Sequence, residues 1–92
     1  MIHSVSGPLA KELYSGQCPK ELELCRTTAE RKLTYLDSVV TLEALRYPPG
    51  NRLEKLMGNR TGQYSIRIND QYRICFRWEN DGPHDVEITD YH

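Results

Sequence analysis

Gln63-Tyr64-Ser65-Ile66-Arg67-Ile68, a turn at Asn69-Asp70, and Gln71-Tyr72-Arg73-Ile74-Cys75-Phe76-Arg77-Trp78 decide the fold of this chain. Both runs alternate. Tyr64, Ile66 and Ile68, then Tyr72, Ile74, Phe76 and Trp78, fall on one parity; Ser65, Arg67, Arg73, Cys75 and Arg77 fall on the other. Successive side chains of a strand point to opposite faces, so the two runs predict an antiparallel hairpin with one apolar face. The opposite face carries Arg67, Arg73 and Arg77, with Gln63, Ser65, Asn69 and Gln71 as further donors on or near it.

Outward from the hairpin, residues 53–57 read as a preceding strand and 58–62 as a turn. Asn80-Asp81-Gly82-Pro83-His84 reads as the next turn, and Asp85 to Thr89 as a last strand with Val86 and Ile88 inward. Tyr47-Pro48-Pro49-Gly50-Asn51 is a loop, because two prolines and a glycine cannot continue a helix. Upstream of it the period changes. Leu22, Cys25, Ala29, Leu33, Leu36 and Val40 recur at spacings of three and four, which predicts an amphipathic helix over 20–40. Leu42 and Leu45 add a helical tail. Residues 8–15 predict a short helix opened by Pro8 and closed at Gly16, and residues 2–5 a short first strand. The outline is α+β: two N-terminal helices on a small antiparallel or mixed sheet, in one domain over residues 1–92.

The chain has 92 residues and a net charge of −1, but the charge is segregated. Residues 46–77 carry Arg46, Arg52, Lys55, Arg60, Arg67, Arg73 and Arg77 against Glu54 and Asp70, a balance of +5. Residues 78–92 carry Glu79, Asp81, Asp85, Glu87 and Asp90 and no Lys or Arg, a balance of −5. Arginine grips phosphate oxygens in bidentate fashion and stays charged at any working pH. The basic face therefore suits an RNA backbone, an acidic partner segment, or the chain's own acidic end.

Three cysteines, Cys18, Cys25 and Cys75, do not make a disulfide scaffold and lack zinc-site spacing. Reduced thiols and a cytoplasmic location are expected. There is no run of some 18 apolar residues, so no membrane contact is expected. Met1-Ile2-His3-Ser4 lacks a signal peptide's charged and apolar regions. Gly58 and Gly62 are not followed by the Lys-Ser/Thr of a phosphate loop, and no His-Glu-x-x-His spacing exists. His3 and His84 are given no role. Asp90-Tyr91-His92 places a carboxylate, a phenol and an imidazole side by side. It is either a frayed end or an acid–base group, since histidine titrates near neutrality.

Pro49-Gly50-Asn51-Arg52-Leu53-Glu54-Lys55-Leu56, the run from Gly58 through Arg-Ile-Asn-Asp-Gln-Tyr-Arg (67–73) to Phe76, and the ending Val86-Glu87-Ile88-Thr89-Asp90-Tyr91-His92 resemble the HigB branch of the RelE toxin superfamily. Met1-Ile2-x-Ser4 and Ala29-Glu30-Arg31-Lys32-Leu33-x-x-Leu36-Asp37 are similar as well. The resemblance implies a RelE-like fold. It also implies the toxin of a type II toxin–antitoxin pair that cuts messenger RNA in the ribosomal A site, without metal or other cofactor. The implied partners are a HigA-type helix-turn-helix antitoxin, the ribosome and messenger RNA, with operator DNA reached only through the antitoxin. Arg73 matches the family's phosphate-stabilising arginine. Asp90, Tyr91 and His92 match its C-terminal catalytic or substrate-positioning residues, with His92 in proton transfer. Arg52, Lys55, Arg60, Arg67, Arg77 and Asn69 are the expected RNA contacts.

Two positions depart from the pattern. Better-known members carry a histidine and a lysine where this chain has Glu54 and Met57. A weak toxin is therefore expected, or alternatively a toxin-fold module that acts only with its antitoxin in operon regulation. Parity adds a question. If Val86 and Ile88 face the core, alternation sends Asp90 and His92 to the core side and Tyr91 to the arginine side, unless the strand ends or bulges near Thr89.

Overall fold

The structure, a computed structural model, describes residues 1–90. Tyr91 and His92 lie outside the described residues. Two α-helices, α1 (Pro8–Tyr14) and α2 (Arg26–Ser38), precede a sheet of β1 (Glu54–Lys55), β2 (Gln63–Arg67), β3 (Tyr72–Glu79) and β4 (Gly82–Asp90). The strands lie in chain order and every neighbour is antiparallel. The segment before α1 runs parallel beside β4. It touches through one bridge, Val5 with Val86, rather than as a strand over 2–5. Val86 donates to the Ser4 carbonyl at 3.0 Å, and Ser6 to the Val86 carbonyl at 2.8 Å, so the sheet is mixed at this edge.

The apolar parity packs as its period predicts. Ile66, Ile74, Phe76 and Val86 are fully buried together with Leu22, Leu36 and Leu45, and Ile2, Leu13, Leu33 and Ile88 complete the same core. Burying a side chain of this size stabilises the fold by roughly 1.5–3 kcal/mol each.

The helix predicted over 20–40 is two elements. Residues Lys20–Cys25 form a 3-10 helix, in which Leu22 donates to the Pro19 carbonyl at 3.0 Å; α2 starts only at Arg26. A 3-10 helix also aligns i with i+3, so Leu22 and Cys25 satisfy either geometry. The far end corrects Val40. Ser38 closes α2, its hydroxyl donating to the Tyr35 carbonyl at 2.8 Å, and Val39 is extended. Val39 therefore turns into the core and Val40 into solvent.

The last hairpin also differs. Its turn is Asn80-Asp81 alone, and β4 begins at Gly82. Gly82 has φ 122, and a Cβ there would meet the Met1 carbonyl oxygen at 2.9 Å, so this position needs glycine. Cys75 pairs with Glu87, but Arg77 pairs with His84, so β4 holds one extra residue. Asp85, at φ 52, absorbs it as a bulge. From there β4 runs regularly through Thr89 opposite Arg73 to Asp90 opposite Tyr72. The irregularity lies at Asp85, not Thr89, and Asp90 keeps the parity of Ile88.

Candidate functional site

Register assembles the polar face. Glu54, Ser65, Cys75 and Glu87 form one row across the sheet, and Arg67, Arg73 and Thr89 the next. Ser65 and Cys75 are buried, and so is Arg73, at 6% exposure.

The Arg73 guanidinium is held on several sides. Its Nε donates to Ser65 Oγ at 2.8 Å, and Nη2 donates to the Arg52 carbonyl at 2.7 Å. Nη1 lies 3.9 Å from Glu54 Oε1. The Arg52 carbonyl is aimed by a left-handed backbone, φ 46, at the end of a 3-10 turn over Pro49–Asn51. That turn is fixed from within by buried Asn51. Its Nδ2 donates to the carbonyls of Leu45 at 3.2 Å and Tyr47 at 3.0 Å, and its Oδ1 accepts from Lys32 Nζ. Burial, then the charges of Arg31 and Arg67, lower the Lys32 pKa from its ordinary value. A buried, hydrogen-bonded guanidinium is a rigid positive charge in a medium of reduced dielectric, where it acts on an anion more strongly than in water.

The other basic residues are placed less uniformly. Arg60 donates to Gln63 Oε1 and Glu87 Oε1, each at 3.0 Å. Arg67 pairs with Asp70, and Arg77 with Glu79 and, at 2.8 Å, with Asp85. The Asp85 hydrogen bond raises the Arg77 pKa, and the same bond holds the Asp85 carboxyl below its usual range. Much of the segregated charge is thus neutralised between neighbouring strands. Lys55 pairs with Tyr64, on the parity opposite Glu54, and lines a groove with Glu43, Arg46 and Tyr47 away from Arg73. Arg52 contributes its backbone carbonyl, with its side chain exposed. Asn69 Oδ1 accepts from the amides of Gln71 at 2.9 Å and Tyr72 at 2.7 Å, which makes it the organiser of the β2–β3 turn.

Asp90 shares the parity of Ile88 and Tyr72, not that of Arg73. Its Oδ2 accepts from Gln71 Nε2 at 3.0 Å. The Tyr72 phenol has its pKa raised, first by burial and then by the charge of Asp90. Sequence reasoning missed Asn51 and Lys32 as supports of the site. The Pro-Pro-Gly-Asn loop was the available signal, since a buried asparagine there can satisfy several backbone carbonyls at once. All three cysteines are free thiols, and no helix among the described residues is long and apolar enough to cross a membrane.

Comparison with known proteins gives the family and the fold. Residues 20–92 match the family of HigB-like toxins, described as the RelE-like toxin of type II toxin–antitoxin system HigB. Toxin HigB-1 of Vibrio cholerae is 54% identical over 48 residues, which are 52% of this chain and 50% of that protein. The match thus spans about half the length of this curated relative. Among solved structures, the YoeB-YefM complex from Staphylococcus aureus superposes with a TM-score of 0.59 at 21% identity, over 100% of this chain and 95% of the other. A YafQ mutant from E. coli superposes with a TM-score of 0.61 at 17% identity, over 98% and 91%. At these identities the likeness is one of fold.

Proposed function

This chain belongs to the HigB-like toxins, the RelE-like toxin family of type II toxin–antitoxin systems, and from that premise we propose that it is a ribosome-dependent endoribonuclease that cuts messenger RNA in the ribosomal A site. The observation that carries the reading is Arg73, a buried guanidinium fixed by Ser65 and the Arg52 carbonyl on the polar face of the sheet.

In the proposed reaction the 2′-hydroxyl of one nucleotide attacks the adjacent phosphorus. The products are a 2′,3′-cyclic phosphate and a free 5′-hydroxyl. A base must take the 2′ proton, an acid must protonate the leaving 5′ oxygen, and positive charge must meet the phosphorane. Arg73 supplies the charge, and the scissile phosphate competes with Glu54 for Nη1. His92 transfers the proton. Asp90, whose carboxylate lies on the core parity beside Gln71 and Tyr72, acts as a positioning residue for the chain end, and Tyr91 contacts the substrate. Arg52, Lys55, Arg60, Arg67, Arg77 and Asn69 contribute to RNA docking. For Arg60, Arg67 and Arg77, phosphates displace Glu87, Asp70, and the Asp85–Glu79 pair. The partner that silences the toxin is a HigA-type antitoxin, through which operator DNA is reached.

A second reading is favoured by Glu54. Its carboxylate faces Arg73 where better-known members carry histidine, so it opposes an incoming phosphate. In that reading the chain retains antitoxin binding and operon regulation without cleavage. Expression of the chain alone, with growth and messenger ends followed for wild type, Arg73→Ala and His92→Ala, separates the two. The endonuclease reading requires cuts within translated frames that both variants lose. A folded wild type that gives neither cuts nor growth arrest leaves the regulatory module.

A further inference from the structure

The segment before α1 and the β3–β4 hairpin meet at a cluster that takes no part in the Arg73 site. His3, from that segment, and His84, from β4, stack with ring centroids 4.8 Å apart and planes inclined by 16°. Both imidazoles turn toward Asp81 in the hairpin turn. His84 Nε2 lies 2.7 Å from Asp81 Oδ1, and His3 Nε2 lies 3.7 Å from Asp81 Oδ2 and 2.6 Å from its carbonyl oxygen. One ligand atom from each residue falls within a spread of 4.8 Å.

From this convergence we propose that His3, Asp81 and His84 form a binding site for a divalent transition-metal ion of the zinc class. Two imidazole nitrogens and one carboxylate oxygen are a borderline donor set. It suits zinc and its neighbours rather than magnesium or calcium, which take oxygen ligands. Bond lengths of about 2.0–2.2 Å place tetrahedral ligand atoms about 3.4 Å apart. The cluster reaches this by rotation of the exposed His3 and Asp81 side chains about the half-buried His84, and solvent fills the remaining position.

The backbone brings the ligands together without the ion. His3 donates its amide to the Pro83 carbonyl at 3.0 Å, and Ile2 donates to Asp37 Oδ1 at 2.8 Å. Gly82 allows the Met1 carbonyl to approach where a side chain would block it. Charge favours a cation as well. Asp85 follows His84 in β4 and adds negative charge next to the cluster, offset in part by Arg77, which pairs with it. The bound ion staples the N-terminal segment to the β3–β4 hairpin, across a separation of 78 residues between His3 and Asp81. Binding to the folded state alone raises stability by mass action.

The test is calorimetric titration of Zn²⁺ into the full chain, with Co²⁺ absorption as a second readout and Mg²⁺ as a control. The expected result is one Zn²⁺ per chain, with affinity at least about tenfold weaker in His3→Gln and in His84→Gln. Zn²⁺ should raise the thermal midpoint of wild type and leave that of the double variant unmoved. Folding of the variants is checked by circular dichroism. His92→Gln and the Cys18→Ser/Cys25→Ser variant should bind as wild type does. Absence of saturable binding to wild type overturns the proposal. So does undiminished binding to both histidine variants, or loss of binding in the His92 or cysteine controls.

Discussion

Arg73 donates a 2.7 Å hydrogen bond to the carbonyl of Arg52, a residue held at φ 46. The bond joins the start of β3 to the loop that precedes β1. The face that carries the arginine is thus built partly from backbone, and the shape of that loop decides where the guanidinium sits.

Arg73→Lys keeps the charge but not the fork that meets Ser65 and Arg52 together. Cleavage should fall about 100-fold, the order seen when a single preorganised charge-stabilising donor is lost. Ser65→Ala removes the acceptor of the buried Nε and should lower stability by about 1–3 kcal/mol. Quantified messenger cleavage and urea unfolding check the two effects separately. Full activity in Arg73→Lys would show that charge alone suffices.

Glu54→Gln removes the carboxylate 3.9 Å from Arg73 Nη1 while keeping side-chain volume. Cleavage by the variant should rise several-fold, because the phosphate no longer competes with a fixed anion. Initial rates on translating ribosomes test this. A fall in rate would mean that Glu54 assists the reaction.

Asn51→Ala leaves the Leu45 and Tyr47 carbonyls and Lys32 without their shared partner. The loss should cost about 1–3 kcal/mol, and it should weaken cleavage as the Arg52 carbonyl moves. Unfolding midpoints combined with rates at a temperature where the variant stays folded give the answer. A stable variant with wild-type rates would remove Asn51 from the support of the site.

Tyr72 is enclosed by the core and by its neighbours' charge. Its folded pKa is raised, chiefly by burial and then by Asp90. Its contribution to stability is therefore complete below the unfolded value near pH 10 and is lost as pH rises through the folded value. Carbon NMR of the Tyr72 ring should show it titrating above the ordinary phenol value, and Asp90→Asn should bring it part of the way back. An unchanged Tyr72 titration in Asp90→Asn would place the Asp90 charge elsewhere.

Much of this was legible in the alternation of residues 63–78, because register follows once one face is buried. What escaped did so for identifiable reasons. Spacings of three do not separate the 3-10 helix over Lys20–Cys25 from α2. The bulge at Asp85 needs a backbone angle that alternation does not encode. The burial of Arg73 depends on a carbonyl, and every residue has one. His3 and His84 are far apart in sequence, so no local spacing announces their stacking. Alternation sends Asp90 to the core side unless the strand breaks near Thr89, and the register with Tyr72 shows that it does not break there.

The most direct test of the central claim is a purified reaction. A defined messenger is placed on ribosomes with an open A site, the chain is added, and RNA ends are mapped for wild type and Arg73→Ala. The account predicts a cut within the A-site codon that bears a 2′,3′-cyclic phosphate, is absent on free RNA, and is reduced at least about 100-fold in the variant. An intact messenger with folded wild-type protein on the ribosome, or equal cutting by Arg73→Ala, would contradict it.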